Sequence, residues 1–224
     1  MFASNNESIA IAVNFLSVVS SAFVILFLFW STTLFLKKIS KKNNFTNDTN
    51  ILLSSSIGAL AFTFSDSFWF NAVETEVYAL AMLFLSATFW CGLRWEKDFN
   101  NKRGDKWLLL ICFLIGLSFG VHFMAILTIP AIGMIYFFKK YEKITIKNFV
   151  LANIISVSIL LFIFKLLLPS TLSLFGQLEV FFVNSIGLPF NSGTIIAAFL
   201  IVFFFYKSLS YTRLKGMVQA NTLI

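Results

Sequence analysis

Residues 107–138 read WLLLICFLIGLSFGVHFMAILTIPAIGMIYFF and contain no Asp, Glu, Lys or Arg. A helix that crosses the hydrocarbon core of a bilayer needs about 20 apolar residues, so this stretch is long for one crossing and short for two. Gly120 and Pro130 interrupt it, which favours two short helices over one long tilted helix. We therefore predict spans at 107–120 and 122–138, joined by a tight turn near Gly120.

The rest of the chain has the composition of a membrane protein. Of its 224 residues, 58% are hydrophobic and only 12% are charged, whereas about 25% are charged in an ordinary soluble domain. A soluble core of this size has no room for 30 Phe side chains. We predict an all-α membrane protein that forms a single transmembrane domain over 1–224. Its transmembrane helices number about seven, at about 9–36, 51–70, 77–93, 107–120, 122–138, 148–168 and 194–206.

The basic residues predict the orientation. Of 17 Lys and Arg, 16 lie in segments 37–50, 94–106, 139–147 and 207–215, which alternate with loops that hold none. Short loops rich in Lys and Arg stay in the cytoplasm, so the N-terminus is predicted outside and the C-terminus in the cytoplasm. The alternation also requires 107–138 to cross twice. Because the basic clusters are short and lie between apolar runs, the net charge of +7 does not indicate nucleic acid as a partner.

The segment SDSFWFNAVETEVYAL, residues 65–80, carries three acids on the predicted outer side: Asp66, Glu74 and Glu76. Residues two apart on a helix are rotated by about 200°, so Glu74 and Glu76 are not expected on one face. Glu74 is predicted in the first turn of the third helix, where the helix dipole favours a carboxylate. Alternatively, an acid here is a general base or holds a divalent cation that binds a phosphate.

His122 and Lys165 are the other candidate binding residues. His122, the only histidine, falls at the predicted turn and is either a hydrogen-bonded structural residue or a contact to a lipid-linked phosphate. Lys165 is the one basic residue inside a predicted span, where a charge costs about 2.5–3.5 kcal/mol. Its side chain either reaches the lipid headgroups or meets the pyrophosphate of a lipid-linked donor. Gly116 and Gly120 would admit a ligand or pack against another helix.

Apart from the alternative of a divalent cation held by the acids of segment 65–80, no metal site is predicted. Cys91 and Cys112 lie in apolar segments without metal-ligand or redox spacing, and the sequence contains no phosphate-cradling loop, zinc motif or Ser-His-Asp elbow. The predicted outer loop 169–193 contains Glu179 between apolar residues, a pattern that is typical of an amphipathic helix on the membrane surface.

Three runs resemble one bacterial family: VNFLSVVSSAFVILFLFW at 13–30, NAVETEVYALAMLFL at 71–85 and the whole of 107–138. The family consists of large multi-spanning proteins long catalogued as a domain of unknown function. It is related to the protein O-mannosyltransferase-like members of the C-type (GT-C) membrane glycosyltransferases. The resemblance implies a helical domain of the bacterial inner (cytoplasmic) membrane with a groove that opens outside.

The activity implied by the resemblance is sugar transfer from a polyprenyl-phosphate donor to a protein or another acceptor. Only Glu74, Glu76 and His122 match positions in the family's motifs, where the two glutamates would be catalytic and His122 would bind substrate. Asp66 and Lys165 are predicted as substrate-binding residues from their places in the sequence alone. In the family, the outer loop after the first helix carries an acidic motif. This sequence begins where the family's second helix begins, so we expect a fragment that lacks the first helix, that loop and the C-terminal part, inactive alone. The alternatives are a transporter or flippase and a non-catalytic assembly subunit.

Overall fold

The computed structural model describes residues 6–42, 47–74, 76–101 and 104–216. Within these ranges every regular element is helical and no strand occurs, which confirms the predicted all-α class. The chain forms two compact units, Met1–Leu160 and Leu161–Ile224, and each is described by itself. The last residues of the C-terminus, predicted to be cytoplasmic, lie outside the described residues.

The first unit contains helices from both ends of the 107–138 stretch. A break separates the helix Lys106–Ser118 from a 3₁₀ helix, Phe123–Leu127, which leads directly into the helix Thr128–Lys140. The α-helices are α1 (Asn6–Lys42), α2 (Asp48–Thr63), α3 (Asp66–Val73), α4 (Val77–Asp98), α5 (Lys106–Ser118), α6 (Thr128–Lys140) and α7 (Ile146–Phe162), the last of which ends just inside the second unit.

Helix α4 is the centre of the first unit. It packs against α1, α5, α6 and the 3₁₀ helix. Its buried positions carry mainly small side chains, among them Ala81 and Thr88, which are both fully buried. Small residues let neighbouring helices approach closely, which is how helices associate within lipid. Trp95 is buried near the end of α4 and stacks on Tyr136 of α6, with 5.5 Å between the ring centroids.

The second unit pairs α8 (Leu168–Val180) with α9 (Ser192–Leu214), and π-helical segments Ile163–Leu167 and Phe181–Ser185 flank α8. The Glu179 carboxylate accepts hydrogen bonds from the backbone N–H of Asn191 at 2.6 Å and of Thr194 at 2.8 Å. These donors lie at the start of α9, where helix N–H groups lack partners within the helix. Glu179 therefore closes the turn between the two helices.

Among the residues that the structure describes, five helical stretches are long and apolar enough to cross a membrane, and a sixth is present if α2 and α3 form one broken span. Their outer surfaces expose large apolar side chains such as Phe15 and Phe199, 66% and 69% accessible. The chain is therefore a multi-pass membrane protein. The five stretches are Ser8–Lys41, Val77–Asp98, Phe123–Lys140, Ile146–Ser185 and Ser192–Leu214.

The structure differs from the predicted spans at three places. The span predicted at 51–70 bends by 66° between α2 and α3. The helix predicted to end at Pro169 continues, because Pro169 lies in the first turn of α8 directly after the π-helical segment Ile163–Leu167, and local π-helical adjustments accommodate a proline inside a membrane helix. With 13 residues, α5 is shorter than the length needed for one crossing. The total of about seven crossings stays a prediction.

Candidate functional site

Glu74 and Glu76 lie in the connection between α3 and α4, not on one helix. Glu74 follows the last residue of α3, and its N–H donates to the Phe70 carbonyl at 3.1 Å. Glu76 immediately precedes α4, and its N–H donates to the Glu74 carbonyl at 2.9 Å, as in a tight reversal of the chain. The predicted third helix, at 77–93, corresponds to α4, so the prediction that Glu74 lies in its first turn is wrong. Because the two acids do not lie on one helix, the predicted rotation of about 200° between them is also wrong.

Their positions change the electrostatic interpretation of the two acids. Glu74 lies at the C-terminal end of α3, where the helix dipole disfavours a negative charge. Glu76 lies at the N-terminal end of α4, where the dipole favours it, although its side chain makes no capping hydrogen bond. Both residues are exposed, and neither carboxylate pairs with a described Lys or Arg. Helix stabilisation thus accounts for Glu76 and leaves Glu74 without a structural role.

Asp66 is exposed in the first turn of α3, at the opposite end of that helix from Glu74. Because the helix dipole favours an acid at this position, Asp66 has a structural explanation. The eight residues of α3 span about 12 Å, so the structure does not bring Asp66 to the two glutamates.

His122 lies between α5 and the 3₁₀ helix and is held through its backbone. Its N–H donates to the Ser118 carbonyl at 2.8 Å. The imidazole contacts the ring of Tyr78, with 5.9 Å between centroids, and that of Phe123 at 5.2 Å. Its Nδ1 atom is buried and has no hydrogen-bond partner within the described part of the chain. The interpretation of His122 as a hydrogen-bonded structural residue is therefore not met at this atom.

Tyr78 contacts the histidine and closely follows the acids along the chain, and it was not among the predicted site residues. It lies in the first turn of α4, two residues after Glu76, and its ring reaches His122. An aromatic residue beside the paired acids of VETEVYAL was the available signal. The structure thus brings Tyr78 and His122 together, and Glu74 and Glu76 lie shortly before Tyr78 along the chain. We call these four residues the acidic cluster.

Lys165 belongs to the second unit and is described separately from the acidic cluster. It is exposed in the π-helical segment Ile163–Leu167, with its Nζ 5.9 Å from the Phe164 ring centroid. The helix packing proposed for Gly116 is absent among the described residues, because a Cβ added there would meet nothing within 4 Å, and one added at Gly120 would meet only the Leu117 carbonyl oxygen, at 3.5 Å.

The acidic cluster offers few metal ligands. Over the ranges that the structure describes, no three His, Cys, Asp or Glu side chains come close enough to hold a metal ion. Glu74 and Glu76 could supply at most part of a divalent cation's ligands, with the rest from a substrate phosphate and water.

One family matches residues 1–145, a stretch that contains the whole acidic cluster. It is described as "Protein O-mannosyl-transferase TMEM260 N-terminal domain". The chain belongs to this family. Membership supports the predicted relation to O-mannosyltransferase-like glycosyltransferases, and Lys165 lies beyond the matched residues of the O-mannosyl-transferase domain. Comparisons with curated proteins and with solved structures found no match.

Proposed function

We propose that the chain forms part of a glycosyltransferase that moves a sugar from a polyprenyl-phosphate donor to a hydroxyl group of a protein or another acceptor. The observation that carries this proposal is the acidic cluster, in which two exposed carboxylates precede Tyr78 along the chain and Tyr78 contacts a histidine whose buried Nδ1 lacks a partner among the described residues. A buried polar atom without a partner requires an explanation, and a bound ligand is one. Membership of the O-mannosyl-transferase family supplies the reaction class.

In the proposed reaction, a carboxylate of Glu74 or Glu76 removes the proton from the acceptor hydroxyl. The acceptor oxygen then attacks the anomeric carbon of the donor sugar and forms the new glycosidic bond. The bond from that carbon to the phosphate oxygen breaks, and the polyprenyl phosphate leaves with the electron pair. General-base catalysis of this kind contributes typically 10²–10⁴-fold to a rate.

His122 has the complementary role towards the leaving group. A protonated imidazole nitrogen can donate a hydrogen bond to a phosphate oxygen, and bonds between charged groups are about twice as strong as neutral ones. The ring contact with Tyr78 limits the orientations of the imidazole. Glu74 is the better candidate for the base, because α3 gains nothing from a charge at its C-terminal end.

The acidic cluster is proposed to face the outside of a bacterial inner membrane. The support is the opposite end of α4, where basic residues from three helices gather: Lys38 of α1 pairs with Glu96 of α4, and Lys139 of α6 lies nearby. Since Lys- and Arg-rich ends stay in the cytoplasm, the acidic cluster would lie across the membrane, where a lipid-linked donor and its acceptor meet.

The test is sugar transfer in membranes from cells that express the gene from its natural locus. The substrates are a radiolabelled polyprenyl-phosphate sugar and endogenous acceptors, assayed with and without EDTA. The variants are E74Q and E76Q, which keep the shape of the side chain without its charge, and H122N, which replaces the imidazole by a shorter polar amide. The matched control is E142Q, an exposed acid of the basic side.

We expect E74Q to lower transfer at least 10²-fold at normal membrane levels, H122N to weaken it, and E142Q to leave it unchanged. Loss of activity in EDTA would add a divalent cation to the site. Wild-type transfer by all three variants would remove the acidic cluster from catalysis. Absence of transfer by the unaltered gene product would overturn the glycosyltransferase assignment in favour of a transporter or an assembly subunit.

A further inference from the structure

We infer that the basic end of α4 binds the phosphate headgroup of an anionic lipid. A cavity of about 400 Å³ opens there between α1, α4 and α6. We call the residues that line it the lysine cavity: Leu34, Phe35, Lys37, Lys38, Lys41, Leu93, Glu96, Lys97 and Lys139.

The lysine cavity has an excess of positive charge. It contains five lysines and one carboxylate, that of Glu96, which forms an ion pair with Lys38. Lys37 pairs with Asp48 at 3.6 Å. Lys41, Lys97 and Lys139 pair with no carboxylate among the residues that the structure describes. Three ammonium groups around one opening repel each other, and an anion bound between them relieves that repulsion.

The apolar part of the cavity favours a lipid over a soluble phosphate. Leu34 lies four residues before Lys38 on α1, and Leu93 lies four residues before Lys97 on α4. Residues four apart share a helix face, so each helix presents an apolar side chain above a lysine. The cavity also lies where the apolar run of α1 gives way to Lys37. A phosphate with acyl chains fits this division, and basic pockets between transmembrane helices bind such headgroups.

This inference does not depend on the proposed function. The lysine cavity and the acidic cluster lie at opposite ends of α4, whose 22 residues span about 33 Å. Lipid binding and sugar transfer can therefore fail independently of each other.

The experiment is native mass spectrometry of the purified full chain, titrated with phosphatidylglycerol or with phosphatidylcholine of the same acyl chains. The test variant is K41Q/K97Q/K139Q. The matched control is K140Q/K143Q/K147Q, which removes the same charge from lysines of the same side that do not line the cavity. A third variant, K41R/K97R/K139R, keeps the charge. Glycerol phosphate serves as a competitor without acyl chains.

We expect wild type to retain phosphatidylglycerol in preference to phosphatidylcholine. The test variant should bind it at least about tenfold more weakly, and the control and arginine variants should bind it within about twofold of wild type. Equal binding by the test variant, or an equal loss in the control, would overturn the inference. Displacement of the lipid by equimolar glycerol phosphate would overturn it in favour of a soluble phosphate.

Discussion

At the scale of single residues, Gly193 shows how closely α8 and α9 pack. A Cβ at this position would clash with the backbone of Glu179 and the carbonyl of Leu178. Backbone atoms cannot rotate away as a side chain can, so the two segments would have to separate. The Glu179 carboxylate holds the two segments together by accepting hydrogen bonds from the backbone N–H groups of Asn191 and Thr194.

We predict that Gly193→Ala destabilises the protein by about 1–3 kcal/mol, the usual cost of overpacking. The measurement is the temperature at which half of the detergent-solubilised protein is lost from the monodisperse peak in size-exclusion chromatography. Gly176→Ala is the control, because its Cβ would meet nothing within 4 Å in α8. We expect the control to match or slightly exceed wild type, since Ala favours a helix. Equal thermal stability of the two variants would contradict the close approach at Gly193.

At the scale of elements, α6 and α7 meet at a glycine and a serine as well as at the rings of Phe138 and Phe149. A Cβ at Gly133 would clash with the Ser156 hydroxyl and lie 3.1 Å from its Cβ. Ser156 is 5% exposed, so its side chain has little room to move. The glycine thus permits a small-residue contact between two helices of the first unit.

We predict that Gly133→Ala lowers the thermal stability and that Gly133→Ala/Ser156→Ala recovers part of the loss. The double variant removes the hydroxyl that the new methyl group meets, so the two substitutions should couple by about 0.5–3 kcal/mol. Gly116→Ala is the control, with open space around its Cβ. Strictly additive effects in the double-mutant cycle would show that the two positions do not touch.

The residue types that mark helix ends in the sequence differed in how well they predicted the ends seen in the structure. Pro169 suggested the end of a helix, but a proline in a first turn is tolerated, and the π-helical segment before it joins two helices. The bend before α3 had a usable signal that was overlooked. Ser65 precedes the helix and Asp66 lies in its first turn, a common pattern of residue types at a helix start. Recognising it would have shortened the second predicted span.

At the scale of the whole molecule, the all-α membrane class followed from the sequence because hydropathy accumulates over many residues. The clustering of Lys and Arg in alternate segments was also visible in the sequence, because it too involves many residues. The neighbourhood of Tyr78 and His122 did not, because it depends on the 3₁₀ helix packing against α4. The single histidine and the paired acids were visible as residues, but their relative positions are a property of the packing.

The proposed orientation can be tested by labelling with a membrane-impermeant maleimide. In a chain with both native cysteines replaced by alanine, we expect Ser67→Cys of α3 to react in intact cells. Lys143→Cys should react only after the cells are permeabilised. Both positions are exposed to solvent or lipid. The reverse pattern would place the acidic cluster in the cytoplasm and rule out an outward donor site.

The shortness of α5 has a consequence for the surrounding lipid. Its 13 residues span about 20 Å, against a hydrocarbon thickness of about 30 Å. If α5 crosses the bilayer as predicted, this hydrophobic mismatch is relieved by local thinning of the bilayer. We therefore expect a dimple beside α5, whose C-terminal end leads to His122. The phosphate layer of that leaflet would lie closer to the bilayer midplane there, so a lipid carrier would need less displacement to bring its phosphate level with the imidazole.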